Sequence, residues 1–292
     1  MQLTEGGPEH LAINAGEIDA VIDYSRSNVI LLPAARLALR DRAGRRQAAK
    51  QAFVANKVLA ALPRMEHRHL RAHFELVTLR RGEVLQEAGA PIWHVYFPVN
   101  SVICLLIAVD QRRAVEVGLV GYEGAVGISL LLEANISSVR ALVVTAGLAV
   151  RMEADSFARA LEQCAVLRNV LHRYADIKLT LARKTVGCNR FHTLEARLAR
   201  WLLMTSDRVR SLEFTLTHEL LASLLGMRRV SITQAATRLQ ERGLIRYRRG
   251  KIMILDRPSL EGASCTCYTR IDSLLTKATG QSVRRLPSAV GN

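Results

Sequence analysis

The chain has 292 residues, 41 Lys or Arg against 26 Asp or Glu, and a formal net charge of +15; 49% of its residues are hydrophobic and 23% charged. That balance excludes a wholly disordered chain or a charged low-complexity tail, and the length implies about two domains. A basic surplus at ordinary charge density points to a polyanionic partner, either nucleic acid or an anionic membrane.

The membrane is excluded first. The longest apolar stretches, residues 102–109 and 29–32, fall well short of the roughly 18 residues a spanning helix needs. Glu5, Glu9, Glu17, Asp19 and Asp23 give the start of the chain the wrong charge for a signal peptide. Cys104, Cys164, Cys188, Cys265 and Cys267 are odd in number and scattered, which suits reduced thiols rather than a disulfide framework. A cytoplasmic protein is expected.

Residues 1–58 read as a poorly defined N-terminal extension. An acidic, glycine-containing start gives way to a basic, alanine-rich stretch with Arg36, Arg40, Arg42, Arg45, Arg46, Lys50 and Lys57. It suits a DNA-binding arm or a solvated extension; the second is preferred, because such arms order only when held down.

From residue 59 to 153 a second region is expected. Phe74-Glu75-Leu76-Val77-Thr78-Leu79 alternates, and Arg81-Gly82-Glu83, Gly89-Ala90-Pro91, Pro98-Val99-Asn100 and Asp110-Gln111-Arg112 supply turns between apolar runs. Short strands with turn signals every 8–12 residues predict an all-β sandwich or barrel. No glycine-rich phosphate loop opens a helix here, which excludes dinucleotide-binding and P-loop architectures. Cys104, in an apolar strand, reads as core.

Helical periodicity begins near Glu153. Residues 154–163 predict a short helix, and residues 154–189 as a whole a dimerisation helix with a hinge. Leu167, Val170, Leu171, Tyr174, Ile177, Leu181 and Thr185 form one apolar stripe. Because this helix joins two domains, the stripe is assigned to pairing with a second copy as a two-stranded coil. Gly187-Cys188-Asn189 is expected to interrupt the helix as a hinge.

Residues 190–260 hold the strongest signal. A helix over 192–208 sets Leu194, Leu198, Trp201 and Leu202 on one face. Thr217 caps a helix carrying Leu220, Leu221, Leu224 and Leu225, and Gly226 breaks it. A second helix from Arg229 to about Arg242 turns Ile232, Ala235, Ala236 and Leu239 inward, and Gly243 ends it. Two short strands around Arg248-Arg249-Gly250 make a basic hairpin, completing a winged helix-turn-helix. On the outward face Arg229, Thr233, Gln234 and Thr237 are predicted to read bases, beside the apolar Val230. Thr217, Arg228, Ser231, Arg238, Arg248, Arg249 and Lys251 are predicted to hold phosphates of double-stranded DNA.

Residues 261–292 read as a C-terminal tail. Cys265 and Cys267 form a candidate redox or metal-sensing pair, although two ligands one residue apart do not close a tetrahedral zinc site, so no metal site is assigned. His69 and His73, with His67 nearby, lack an acidic or cysteine partner and read as a solvated helix. No Ser-His-Asp or paired-carboxylate arrangement is present, so an enzyme is not expected.

The sequence resembles the Crp/Fnr family of bacterial transcription regulators over about residues 59–270. The resemblance rests on Arg81-Gly82-Glu83, on Tyr96-Phe97-Pro98 with Ser101-Val102, on the run from Val115 to Gly121, on Arg197-Leu198-Ala199-Arg200-Trp201-Leu202-Leu203, on Leu216-Thr217 with Leu225-Gly226, and on Gly243-Leu244-Ile245. It implies an α+β protein: an N-terminal antiparallel, jelly-roll-like β-roll of the cyclic-nucleotide-binding type, a long dimerisation helix and a C-terminal winged helix-turn-helix. Such a homodimer binds palindromic sites and contacts RNA polymerase. The family's recognition-helix Arg-Glu pair and later Arg are matched by Arg229, Val230 and Gln234, so only the first is kept. The nucleotide cradle is matched by Gly124-Ala125-Val126-Gly127 and Val139-Arg140-Ala141, which lack the ribose-binding carboxylate and the phosphate-pairing arginine, although Arg140 lies one position away. Cyclic AMP is therefore not expected. Neither is an iron–sulfur cluster, since residues 1–73 contain no cysteine. The expected function is a sequence-specific DNA-binding regulator. The alternative is a small-ligand or thiol-redox sensor whose basic domain binds protein or RNA.

Overall fold

Alternating apolar residues between 74 and 153 fold into two antiparallel sheets with their inner faces together. A computed structural model describes residues 20–23, 28–31, 52–110, 113–270 and 273. The chain divides into two units, 1–51 and 52–292. In the first, β1 (Ala20–Asp23) pairs antiparallel with β2 (Asn28–Leu31). The basic positions from Arg36 to Lys50 lie outside the described residues.

The second unit begins earlier than residue 59. Phe53 and Val58 are buried in the same apolar cluster as Leu59. Asn56, fully buried, caps α1 (Lys57–Ala60) through Oδ1 and donates from Nδ2 to the carbonyls of Pro98 and Gly124 at 2.9 and 2.8 Å. A buried amide needs all of these partners, so this part of the presumed extension is core. Helix α2 (Arg64–Leu70) follows.

One sheet has the order β3 (Glu75–Leu79), β9 (Gly147–Glu153), β5 (His94–Pro98). The other has the order β4 (Val84–Gln86), β8 (Arg140–Thr145), β6 (Val102–Ala108), β7 (Ala114–Val120). Leu79, Tyr96, Ile103, Val120, Val126 and Val143 fill the space between them. Cys104 is fully buried, as expected for core.

Helix α3 (Ala154–Gln163) leads into α4, which runs unbroken from Ala165 to Phe191. The expected interruption at Gly187 does not occur: one glycine costs a helix only about 1 kcal/mol. The break falls at His192 and Thr193, both extended, and Thr193 caps α5 (Leu194–Val209) by accepting from Ala196 N. The stripe assigned to a second copy is also corrected. Leu167, Val170, Leu171, Tyr174, Ile177 and Leu181 are all buried within this chain. The first three join the cluster beneath the β-roll, and the Tyr174 ring lies against Gly124, where a Cβ would overlap it. Leu167, Val170, Leu171 and Tyr174 are thus taken up by their own chain, whereas Ile177 and Leu181 form a small cluster of their own.

The C-terminal region comprises α5, β10 (Glu213–Thr215), α6 (His218–Leu225), α7 (Arg229–Glu241), β11 (Ile245–Arg248), β12 (Lys251–Ile254) and α8 (Arg257–Ala263). Leu260 of α8 is fully buried in this core, so the region does not end at residue 260. Its apolar cluster is continuous with Val102, Cys104, Leu106, Leu119 and Val144 of the four-stranded sheet. A buried ion pair crosses the same junction. Glu123, after β7, accepts at Oε1 from Nε and Nη2 of Arg208 in α5, both at 2.8 Å, and at Oε2 from Gly121 N at 3.0 Å. Among the described residues, no helix is long and apolar enough to cross a membrane.

Candidate nucleic-acid interface

Helix α6 starts where Thr217 Oγ1 accepts from Leu220 N at 3.2 Å and ends at Gly226, whose φ of +64° only glycine adopts without strain. Helix α7 then begins at Arg229. Its burial follows the sequence spacing: Ile232, Ala235, Ala236 and Leu239 are buried, while Arg229, Val230, Thr233, Gln234 and Thr237 are exposed. Val230, 67% exposed, adds an apolar contact surface to this face. Gly243, with φ of +70°, closes the helix.

The wing is a three-stranded sheet of order β10-β12-β11. Its tip is the two-residue turn Arg249-Gly250, both with positive φ, the twist-compatible hairpin geometry. Arg248, Arg249 and Lys251 are therefore presented at one exposed edge.

The predicted phosphate ligands differ in availability. Arg228, Arg248 and Arg249 are exposed and form no ion pair with a described residue. Arg238 shares Glu195 with Arg242, at 3.2 and 2.7 Å. Arg229 lies 3.5 Å from Glu219 and Lys251 3.6 Å from Glu213. Such exposed pairs are worth at most about 1 kcal/mol and exchange readily for phosphate. Thr217 is exposed with its side chain engaged in the cap, and Ser231 is half-buried.

Thr233 is more constrained than its exposure suggests. Its hydroxyl donates to the Arg229 carbonyl at 3.1 Å, so the His218 ring donates from Nδ1 to the same oxygen at 3.0 Å. His218 stacks on Tyr247 of the wing, centroids 4.0 Å apart, and its buried Nε2 has no hydrogen-bond partner among the described residues. Burial, then the charge of Arg229, lowers the His218 pKa and favours the neutral ring. His218 thus ties α6, the recognition face of α7 and the wing together. Sequence reasoning missed it, since the three segments meet only in the folded chain. Among the described residues the Gln234 side chain has no hydrogen-bond partner, which leaves both amide functions for a ligand.

The other predicted positions lie elsewhere. Arg140, the candidate substitute for a phosphate-pairing arginine, is half-exposed and 3.4 Å from Glu87. His69 is in α2 and exposed, and the His67 ring engages the Leu59 carbonyl. Cys265 is buried and Cys267 half-buried, beside the last turn of α4: Cys265 Sγ is 3.3 Å from Cys188 Sγ, and Cys267 Sγ 3.7 Å from His192 Nδ1.

Residues 196–263 match the Crp-like helix-turn-helix domain, so the chain carries such a domain. No curated protein matches the chain by sequence. Among solved structures, it is similar to a Crp/Fnr-family transcriptional regulator from Eubacterium rectale (TM-score 0.56, 18% identity, covering 69% of this chain and 94% of that one). It is also similar to FixK2 from Bradyrhizobium japonicum (0.57, 14%, 66% and 98%) and to a CRP-family regulator from Thermus thermophilus (0.54, 20%, 65% and 99%). At these identities the likeness establishes a shared fold: a β-roll, a long helix and a C-terminal helix-turn-helix.

Proposed function

We propose that this chain is a Crp/Fnr-type transcription regulator that binds a two-fold-symmetric DNA site as a homodimer. The reading rests on the outward face of α7, where Arg229, Val230, Thr233, Gln234 and Thr237 are exposed together, flanked by unpaired Arg228 and the cationic wing. Arg229 and Gln234 are the base-reading side chains, suited to guanine and adenine edges respectively. Thr233, its hydroxyl proton already committed, offers its methyl and one lone pair. Arg228, Arg248 and Arg249 hold the phosphates, with Arg238 and Lys251 joining by exchange of their carboxylate partners.

The dimer seam is the face of α4 that the chain leaves open. His172, Ala175, Leu179, Ala182 and Val186 recur at alternating spacings of three and four, the register of a two-stranded coil. Leu179 and Val186 are 50% and 71% exposed. A seam of this kind sets two recognition helices in successive major grooves, about 10–10.5 bp apart.

Selection from random duplexes, followed by a salt titration, tests the reading. A two-fold-symmetric motif is expected, with affinity falling steeply as salt rises. Sequence-blind binding with no recovered motif overturns it.

A further inference from the structure

Four ligand-type side chains converge where the long helix ends. Cys188 and His192 stand one turn apart at the C-terminal end of α4. Cys265 and Cys267, some 75 residues on, follow α8. One donor atom from each lies within 4.8 Å of all the others. Tetrahedral zinc, with Zn–S near 2.3 Å and Zn–N near 2.0–2.1 Å, places its ligand atoms about 3.5–3.8 Å apart. Of the pairs here, Cys267 with His192 at 3.7 Å falls within that spacing, and Cys188 with Cys265 at 3.3 Å is slightly closer than it.

The geometry points to a structural zinc site of the Cys3His type, ligated by Cys188, His192, Cys265 and Cys267. Four protein ligands close the tetrahedron and leave no open position for water or substrate, the arrangement of a structural rather than a catalytic metal. On loading, three thiols lose their protons to solvent and the imidazole binds as the neutral ring. One Zn²⁺ with three thiolates carries a net charge of −1. The surroundings suit that charge. Arg197 and Arg200 are buried and act electrostatically on the cysteines, Arg197 on Cys188 and Cys265, Arg200 on Cys188 and Cys267. Neither arginine has a carboxylate in ion-pair range among the described residues, and Nε of each lacks a hydrogen-bond partner. A disulfide between Cys188 and Cys265 would use two of the four groups and leave Cys267 facing His192 unaccounted for. The metal would pin the segment after α8 to the turn of α4 that precedes the break at His192 and Thr193. It thereby fixes the joint between the long helix and the winged helix.

The test uses the full chain purified under reducing conditions, supplied with zinc alone, with metal measured by elemental analysis. One zinc per chain is expected in the wild type and in Cys104→Ser, whose thiol lies outside the cluster. Cobalt substituted into the apoprotein should show tetrahedral d–d bands with thiolate charge transfer. Competition with a chromophoric chelator should show zinc affinity about a hundredfold or more weaker in Cys267→Ser, and recovered in Cys267→His. Cys267 is only half-buried, so this variant folds, as circular dichroism should verify. Absence of zinc from the folded wild type, iron in its place, unchanged affinity in Cys267→Ser, or a Cys188–Cys265 disulfide in the reduced preparation each overturns the assignment.

Discussion

Replacing Glu123 by Gln removes one charge from a pair closed to water. Arg208 and Glu123 are 2% and 5% exposed, and the carboxylate receives three hydrogen bonds, two from the guanidinium and one from Gly121 N. Arg208 Nη1 also donates to the Met204 carbonyl at 2.9 Å. Leaving that guanidinium buried without its counter-charge costs about 3–5 kcal/mol. For a unit of this size, that is a fall in Tm of about 6–20 °C. Replacing both groups with apolar residues of similar volume, as in Glu123→Leu with Arg208→Met, removes the unpaired charge and should recover most of the loss. Urea and thermal unfolding of the wild type, Glu123→Gln, Glu123→Leu, Arg208→Met and the double variant supply the numbers. Because the pair and the apolar cluster both cross from the β-roll to the winged helix, the wild type should unfold in one transition and Glu123→Gln in two. A single-variant cost below about 1 kcal/mol, or a double variant no better than the sum of its singles, refutes the assignment of a closed, coupled pair. Gly121→Ala offers an independent route, since its Cβ would lie 2.8 Å from Arg208 Cβ and Cγ. It should weaken the same junction with both charged groups still present, because its Cβ would also crowd Glu123 Oε2 at 2.9 Å.

Other expectations concern recognition, assembly and pH. Gln234→Ala should relax one half-site position by about 1–3 kcal/mol in a binding-site selection, whereas Arg249→Ala should weaken all sequences alike and lower the salt slope by about one; equal, sequence-independent losses would refute these roles. Leu179→Glu and Val186→Glu should yield a folded monomer by sedimentation, while Leu171→Ala, within the core, should cost about 2–5 kcal/mol; a dimer unmoved by both charges rules out the proposed seam. His218 has a folded pKa below its ordinary value of 6.5, so the unfolded chain takes up the proton first. Stability should therefore hold above about pH 7 and fall as the pH drops through about 6.5. His218→Gln should flatten that slope, and an unchanged slope would place its origin elsewhere.

Much of the winged helix was legible in the chain because its determinants are local. The Thr217 cap, the Gly226 and Gly243 stops, and the 3.6-residue spacing of Ile232, Ala235, Ala236 and Leu239 act within one or two turns. Period-two patterning likewise announced the β-roll, though not which strands pair. The long helix shows where such reasoning ends. Periodicity identifies an apolar stripe, but not whether Leu171 and Tyr174 meet their own β-roll or a second chain; three-dimensional packing assigned them to the former and left Leu179 and Val186 open. Helix continuity had a second consequence. An interruption over Gly187-Cys188-Asn189 would have taken Cys188 out of helical register with His192, whereas an unbroken α4 sets them one turn apart and close to Cys265 and Cys267.

The sequence by itself determined the basic charge, the strand and helix periods, and the chemistry of the exposed face of α7, because each depends on neighbours within a few residues. Only the tertiary structure decided the Glu123–Arg208 junction, the His218 bridge and the four-ligand cluster. Each of these joins side chains 15 to 85 positions apart, and no local preference encodes which distant partner will be brought alongside.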